Sequence, residues 1–168
     1  MTRKLHNRQG FTLIELLITA IIIGLVAAMA APNFTRAWER QKFRGGNGDL
    51  ISKLKTARSH AISSKIPYGV YIDSESKSFT VFKDVTNLGG RTFDSGDSVI
   101  SVDTLPREFE MIYADVENSV IIFNSNGSAD FGGCGSIVTY GCTEQTVSIS
   151  KIDVLASTGR VTTDSDYY

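Results

Sequence analysis

Apolar residues follow three different patterns along this chain. From Phe11 to Ala31 they form a run of 21 residues that contains one ionisable side chain, Glu15. Further on they recur every three or four positions, which is the period of an amphipathic helix. After Pro67 the period drops to two, as half-buried strands require. The pattern predicts an α+β protein with a long N-terminal helix packed on a C-terminal antiparallel β-sheet domain.

The first run is long enough to span a bilayer. A helix of this length extends roughly 32 Å, and a hydrocarbon core is about 30 Å thick. Residues 1–10 precede it and carry three lysine or arginine side chains and no acid. The run exceeds the apolar core of an ordinary secretory signal, so cleavage at Ala28–Ala31 is the minor alternative. We therefore predict a leader over 1–10 and a transmembrane helix over 11–32.

A second helical part is predicted over 33–66. Pro32 lacks an N–H and is expected to end or kink the first helix. Gly45–Gly48 reads as a break, with Asp49 as the N-cap of a new helix. The apolar stripe of this new helix is predicted to pack on a sheet and comprises Leu50, Ile51, Leu54, Ala57, Ala61 and Ile62.

A β-rich domain is predicted over 67–168. Turn-forming residues separate short runs in which apolar and polar side chains alternate. The predicted strands are Tyr68–Asp73, Ser78–Asp84, Ser98–Thr104, Phe109–Tyr113, Ser119–Phe123, Thr146–Ile152 and Asp153–Ala156.

The charges and cysteines limit the possible partners and compartment. A net charge of −1 gives no global electrostatic case for nucleic acid. Cys134 and Cys142 are separated by seven residues in a glycine-rich segment and could form a small disulfide ring. A disulfide would imply an oxidising compartment, and two buried free thiols are the alternative. A zinc site would need more ligands, and the histidines, His6 and His60, lie far away in sequence.

Glu15 is the chemical anomaly of the apolar run. A carboxylate costs on the order of 3 kcal/mol at the middle of a bilayer and less near the interface. It needs a cationic partner, but the run contains no basic residue. Cleavage between Gly10 and Phe11 would create an α-amino group, which a neighbouring copy could place against Glu15.

The segment RQGFTLIELLITAIIIGLVAAMAAP resembles the leader and helix of type IV prepilins and type II secretion pseudopilins. The resemblance rests on Gly10, on Phe11 after it, and on Glu15 at the fifth position after the cut. It implies cleavage after Gly10 by a prepilin peptidase and N-methylation of Phe11. Basic residues flank the helix on both sides, so the positive-inside rule leaves the orientation undecided. The resemblance implies a leader in the cytoplasm and a domain in the periplasm.

Three further segments resemble the GspH/FimT branch of minor pseudopilins and pilins. They are the helix Leu54-x-x-Ala57-Arg58-x-x-Ala61, the hairpin with Phe123, Gly127 and Ser128, and the closing Gly159-Arg160-Val161.

Catalytic and metal-binding patterns are weak. His60 lies on a predicted helix without an indicated nucleophile, so we predict that the chain is not an enzyme. Asn124–Asp130 has one acid and reads as an Asn-Gly hairpin rather than a calcium loop. Gly132–Gly135 lacks the lysine and the strand-to-helix context of a phosphate loop and reads as a flexible loop. No cofactor and no metal are predicted, and Asp94, Asp97, Asp164 and Asp166 read as solvated carboxylates.

The resemblance implies a minor pseudopilin of a type II secretion system, a structural component of a periplasmic pseudopilus. The alternative is a minor pilin of a type IV pilus. The expected partners are a prepilin peptidase, other pseudopilins or pilins, and the inner membrane. Some similar minor pilins are linked to DNA uptake, but here Arg160 is followed by Asp164 and Asp166, which disfavours nucleic acid. Cargo and neighbouring subunits are not encoded in any motif of the chain.

Overall fold

The computed structural model describes residues 11–88, 90–143 and 147–167. The chain divides into one unit that ends at Ala37 and a second unit that starts at Trp38. A single helix, α1, runs over Leu13–Ser64 and contributes residues to both units. The second helical part was predicted to end at residue 66, and α1 ends two residues earlier, at Ser64.

The predicted break at Gly45–Gly48 is wrong, because these residues lie inside α1. Asn47 is 5% exposed, and its side chain donates to the carbonyl of Phe43 at 3.2 Å and accepts from the Thr139 hydroxyl at 2.7 Å. Gly46 faces the ring of Phe109, and a Cβ there would lie 2.6 Å from that ring. Tertiary contacts thus keep helical a segment whose intrinsic propensity is low. Asp49 is a residue of the helix interior and not an N-cap.

A short 3-10 turn lies over Glu117–Ser119. In the part of the chain that the structure describes, nine strands follow the helix. They are β1 Tyr68–Asp73, β2 Ser78–Lys83, β3 Ser98–Thr104, β4 Met111–Val116, β5 Val120–Phe123, β6 Ala129–Asp130, β7 Gly133–Cys142, β8 Val147–Leu155 and β9 Arg160–Tyr167.

The sequence predicted the apolar strands and missed the glycine-rich and polar ones. Strands β1 and β3 have the predicted bounds, and β2, β4 and β5 overlap the predicted runs. The two runs predicted over 146–156 form one strand, β8. The segment Gly132–Gly135 was predicted as a loop, but β7 begins at Gly133 within it. β6 and β9 were not predicted.

The strands form two antiparallel sheets. The first has the order β3-β2-β1-β5-β6, and the second has the order β4-β7-β8-β9. All described pairings are antiparallel, as the alternation of the sequence predicted.

The second half of α1 packs its apolar stripe onto the sheets. Leu50, Leu54, Ala57 and Ala61 are fully buried, as predicted, whereas Ile62 is 38% exposed. Phe43 extends the buried stripe two turns earlier, and its ring stacks on Phe109 at 4.5 Å. The predicted fold class, a long helix packed on an antiparallel β-sheet domain, is therefore confirmed.

Candidate functional site

The N-terminal part of α1 exposes its apolar side chains. Its most apolar window has a mean hydropathy of 2.6, and none of that window is buried. Leu13 is 82% exposed and Ile23 is 67% exposed. By length and composition, this is the one helix among the described residues that could cross a membrane.

Glu15 lies in the first turn of α1. The Thr12 side-chain oxygen accepts a hydrogen bond from the Glu15 backbone N–H at 3.3 Å, and the Thr12 carbonyl accepts from Leu16 at 3.2 Å. Thr12 therefore acts as the N-cap, with a carboxylate three residues later, where the helix dipole favours negative charge. Thr12 was not singled out from the sequence, although the spacing Thr-x-x-Glu is a signal for such a cap.

The predicted cleavage site lies at the boundary of the described residues. Gly10 lies outside them, and Phe11, on the other side of the predicted cut, is 76% exposed. Cleavage after Gly10 and methylation of Phe11 stay predictions at this point.

The predicted disulfide does not fit the structure. Cys134 and Cys142 are both free and exposed, and they lie near opposite ends of the single strand β7. Their positions along an extended strand place them roughly 25 Å apart, whereas a disulfide needs Cα atoms within about 7 Å. The prediction failed because the glycine-rich segment is a strand and not a closed loop. The alternative of buried thiols is also wrong.

The three GspH/FimT-like segments meet at one place, which we call the motif junction: Arg58, Gly127 and Gly159. The Arg58 Nε–H donates to the Gly127 carbonyl at 3.0 Å. Gly127 and Gly159 have φ angles of +85° and +60°, which favour glycine. A Cβ on Gly159 would collide with the Gly127 carbonyl, and it would lie 3.0 Å from Arg58 Nε.

The hairpin Asn124–Ser128 forms a closed turn around the motif junction. Gly127 N–H donates to the Asn124 carbonyl at 2.8 Å, and the Asn126 side-chain oxygen accepts from the Ser128 hydroxyl at 2.7 Å. Ala129 N–H donates to the Ala156 carbonyl at 2.8 Å, which ties this hairpin to the β8–β9 turn. The Asn-Gly hairpin prediction agrees with this geometry. Among the described residues no cluster of His, Cys, Asp and Glu has a metal-binding arrangement.

His60 and Asp97, which the sequence raised as titratable residues, have structural roles. The exposed His60 stacks on Tyr68 with ring centroids 5.5 Å apart. Asp97 closes the β2–β3 loop by accepting from the backbone N–H groups of Val85, Thr86 and Asp94 at 2.9–3.2 Å. Partial burial raises the pKa of Asp97, but these hydrogen bonds outweigh burial and hold the pKa below its usual range.

The sequence did not predict an ionic cluster around Arg91. Arg91 donates from Nη1 to Glu117 and from Nε to Asp130, both at 2.8 Å. Both bonds raise the pKa of Arg91, and the bond to Glu117 contributes more than the bond to Asp130. The partners are 26 and 39 residues away, so no local spacing signals them. The cluster ties the β2–β3 loop to the first sheet.

The profile of the prokaryotic N-terminal methylation motif matches residues 5–31. This motif precedes a helix packed on antiparallel sheets. The chain is pilin-like in its N-terminal motif and in its fold.

Comparisons with known proteins agree with this class. Over 62 residues the pilin-like protein is 43% identical to the type IV major pilin protein PilA of Myxococcus xanthus. The matched segment makes up 37% of this chain and 28% of that relative. The chain thus spans little more than a quarter of the length of this curated relative.

Two solved structures share the fold. The minor pseudopilin EpsH from the type 2 secretion system of Vibrio cholerae has a TM-score of 0.50 at 13% identity, over 70% of this chain and 91% of EpsH. The type IV minor pilin FimU of Pseudomonas aeruginosa also has a TM-score of 0.50 at 13% identity, over 75% of this chain and 90% of FimU. At this identity the likeness concerns the fold alone.

Proposed function

We propose that the pilin-like protein is a minor pseudopilin, a subunit of a periplasmic pseudopilus that drives protein secretion across the outer membrane. One observation carries the proposal. The methylation motif leads into an exposed apolar helix with a single carboxylate, and the same helix continues into a β-sheet domain with the fold of EpsH. The role is structural, and we propose no catalytic activity.

The first step in this proposal is processing at the membrane. The leader over 1–10 lies in the cytoplasm, a prepilin peptidase cuts between Gly10 and Phe11, and the new α-amino group of Phe11 is methylated. The domain over 67–168 lies in the periplasm. The exposed apolar segment of α1 anchors the chain in the inner membrane, because none of its most apolar window is buried within the described chain.

Substitution of Gly10 tests this step. In Gly10→Ala, we expect the unprocessed precursor to accumulate, as resolved by immunoblotting and by intact mass, whereas Gln9→Ala should be processed normally. Normal processing of Gly10→Ala would remove the peptidase assignment.

The second step is assembly, in which lipid around the apolar helix is replaced by the helices of neighbouring subunits. Glu15 would then pair with the α-amino group of a neighbour. The position of Glu15 in the first helical turn, with its N–H held by Thr12, fits an exposed carboxylate stabilised at the helix N-terminus.

Glu15→Val separates assembly from processing. We expect this variant to be cleaved almost normally but to be depleted from sheared or purified filaments, since the charge partner of the amine is lost. Leu16→Val changes a neighbouring apolar side chain and should assemble normally. Wild-type incorporation of Glu15→Val would contradict the charge-pairing role.

A type IV minor pilin is the second candidate. It is favoured by the match to FimU, which equals the match to EpsH in TM-score, and by the N-terminal identity with PilA. A deletion strain distinguishes the two functions. Loss of secreted enzymes with intact surface fibres would support the pseudopilin, whereas normal secretion with fibres lost would assign the protein to a pilus.

A further inference from the structure

A groove of about 320 Å³ opens beside the motif junction. We call it the cationic groove and define it by Lys55, Arg58 and Ser59 on the helix side and by Gly159 and Arg160 on the strand side. Three of these residues are cations, and no carboxylate belongs to its described lining. The cationic groove therefore concentrates positive charge on a chain whose net charge is −1.

Arg58 is fixed in place by a neutral group. Its Nε–H donates to the Gly127 carbonyl, whose position is set by two buried glycines with positive φ. The bond leaves the guanidinium charge uncompensated and holds the side chain in one orientation. A guanidinium ordered in advance loses less conformational entropy when it binds an anion.

The other two cations also lack a counter-charge. Lys55 and Arg160 are exposed and form no ion pair within the part of the chain that the structure describes. Elsewhere in the same unit, four cations lie within 3.0 Å of a carboxylate oxygen. These are Lys42, Lys53, Arg91 and Lys151. Local carboxylates are thus missing where the three motif segments meet.

We propose that the cationic groove binds an acidic segment of a partner protein. The Arg58 guanidinium can bind one carboxylate by donating from paired N–H groups. Lys55 and Arg160 can bind a second carboxylate. Three cations suit one or two carboxylates, whereas proteins that depend on DNA phosphates commonly make about 6–10 such contacts. Asp164 follows Arg160 on the same face of β9, roughly 13 Å away, and would repel a phosphate backbone that continued along this strand.

The direct test uses the full-length chain in detergent micelles and a fluorescein-labelled hexaglutamate peptide. Binding is followed by anisotropy at low and at physiological salt. The double variant Lys55→Gln/Arg160→Gln should bind at least tenfold more weakly than the unsubstituted chain. The control Lys83→Gln/Arg107→Gln removes the same two charge types outside the cationic groove and should change affinity less than twofold. Lys55, Arg107 and Arg160 are exposed and Lys83 is half-buried, so the variants should unfold at about the same temperature.

Three results would overturn the proposal. The unsubstituted chain could fail to bind the peptide, or both double variants could lose affinity equally, which would indicate general charge attraction. A 20-base-pair duplex could bind in preference to the peptide and depend on Lys55 and Arg160, which would assign the groove to nucleic acid instead.

A photocrosslinking amino acid at Ser59 identifies the partner in cells. We expect an adduct whose linked peptide is rich in Asp and Glu, and which is lost in Lys55→Gln/Arg160→Gln. A linked peptide from another pilin-like subunit assigns the groove to assembly, and one from an exported protein assigns it to cargo contact. An adduct with a peptide without acidic residues, or one that survives the double variant, would refute the proposal. The test is independent of Gly10 and Glu15, so its failure leaves the proposed function intact.

Discussion

At the scale of single residues, three neighbouring glycines of α1 have different roles although the sequence presents them alike. Gly46 is buried against the Phe109 ring, whereas Gly45 and Gly48 are exposed and have no atom near the position of a Cβ. Phe109 cannot move aside easily, because it stacks on Phe43 at 4.5 Å. Close approach of helix and sheet therefore requires glycine at one of the three positions.

Alanine substitutions at these positions should have effects of opposite sign. Gly46→Ala is expected to destabilise the protein by about 1–3 kcal/mol through overpacking against Phe109. Gly45→Ala and Gly48→Ala should each stabilise it by about 0.5–1 kcal/mol, since alanine has the higher helix propensity. Denaturant unfolding of the full chain in micelles measures all three. Destabilisation by Gly45→Ala equal to that by Gly46→Ala would contradict the assigned packing.

At the scale of elements, strand β7 changes the interpretation of the two cysteines from a disulfide to two separate thiols. It starts in the glycine-rich segment and separates the two cysteines along its length. Asp115 on the adjacent strand β4 hydrogen-bonds the Cys134 thiol and repels its thiolate, which raises the pKa of Cys134. Both thiols are exposed, so their reactivity reports directly on this arrangement.

We expect both cysteines to react with maleimide without prior reduction, as counted by intact mass. Asp115→Asn should accelerate the reaction of Cys134, because removal of the carboxylate lowers the thiol pKa and increases the thiolate fraction at neutral pH. Cys134→Ser identifies which thiol is labelled. A chain that reacts only after reduction would restore the disulfide prediction and contradict the strand.

At the scale of the whole molecule, carboxylates join distant parts of the second unit. Lys42 pairs with Glu108 and Lys53 with Asp103, which links α1 to the segments around the sheets. The hydrogen bond from Lys53 lowers the pKa of Asp103. Burial raises the pKa of Glu108, but the bond to Lys42, a backbone hydrogen bond and the charges of Lys42 and Arg107 together lower it below its usual range. Asp97 also has a lowered pKa because of its backbone hydrogen bonds.

Lowered carboxylate pKa values make folding stability depend on pH in a defined direction. These groups bind protons more readily in the unfolded chain, so their contribution is complete above the ordinary carboxyl pKa of about 4 and is lost as pH falls through the folded values. The free energy of unfolding should therefore decrease from about pH 5 to about pH 2.

Thermal unfolding of the full chain in a zwitterionic detergent measures this dependence. Asp97→Asn should be less stable at pH 7 and should lose less stability on acidification, because one of the titrating groups is absent. A stability that rises between pH 5 and pH 3 would contradict the assigned carboxylate contacts.

The sequence by itself determined the features that depend on local composition and period. The apolar run of α1, the stripe from Leu50 to Ala61 and the strands β1 and β3 follow from the spacing of apolar residues, which burial against a core or a membrane requires. The methylation motif is likewise a continuous segment, and the profile match over residues 5–31 confirmed it.

Only the tertiary structure decided the features that depend on distant partners. The continuity of α1 through Gly45–Gly48 rests on Thr139 and Phe109, and β7 exists because β4 and β8 pair with it on both sides. The motif junction likewise brings Arg58 within 3.0 Å of Gly127, which lies 69 residues away. Local preference is weak compared with such contacts, so the separation of the cysteines and the cationic groove could not be deduced from spacing alone.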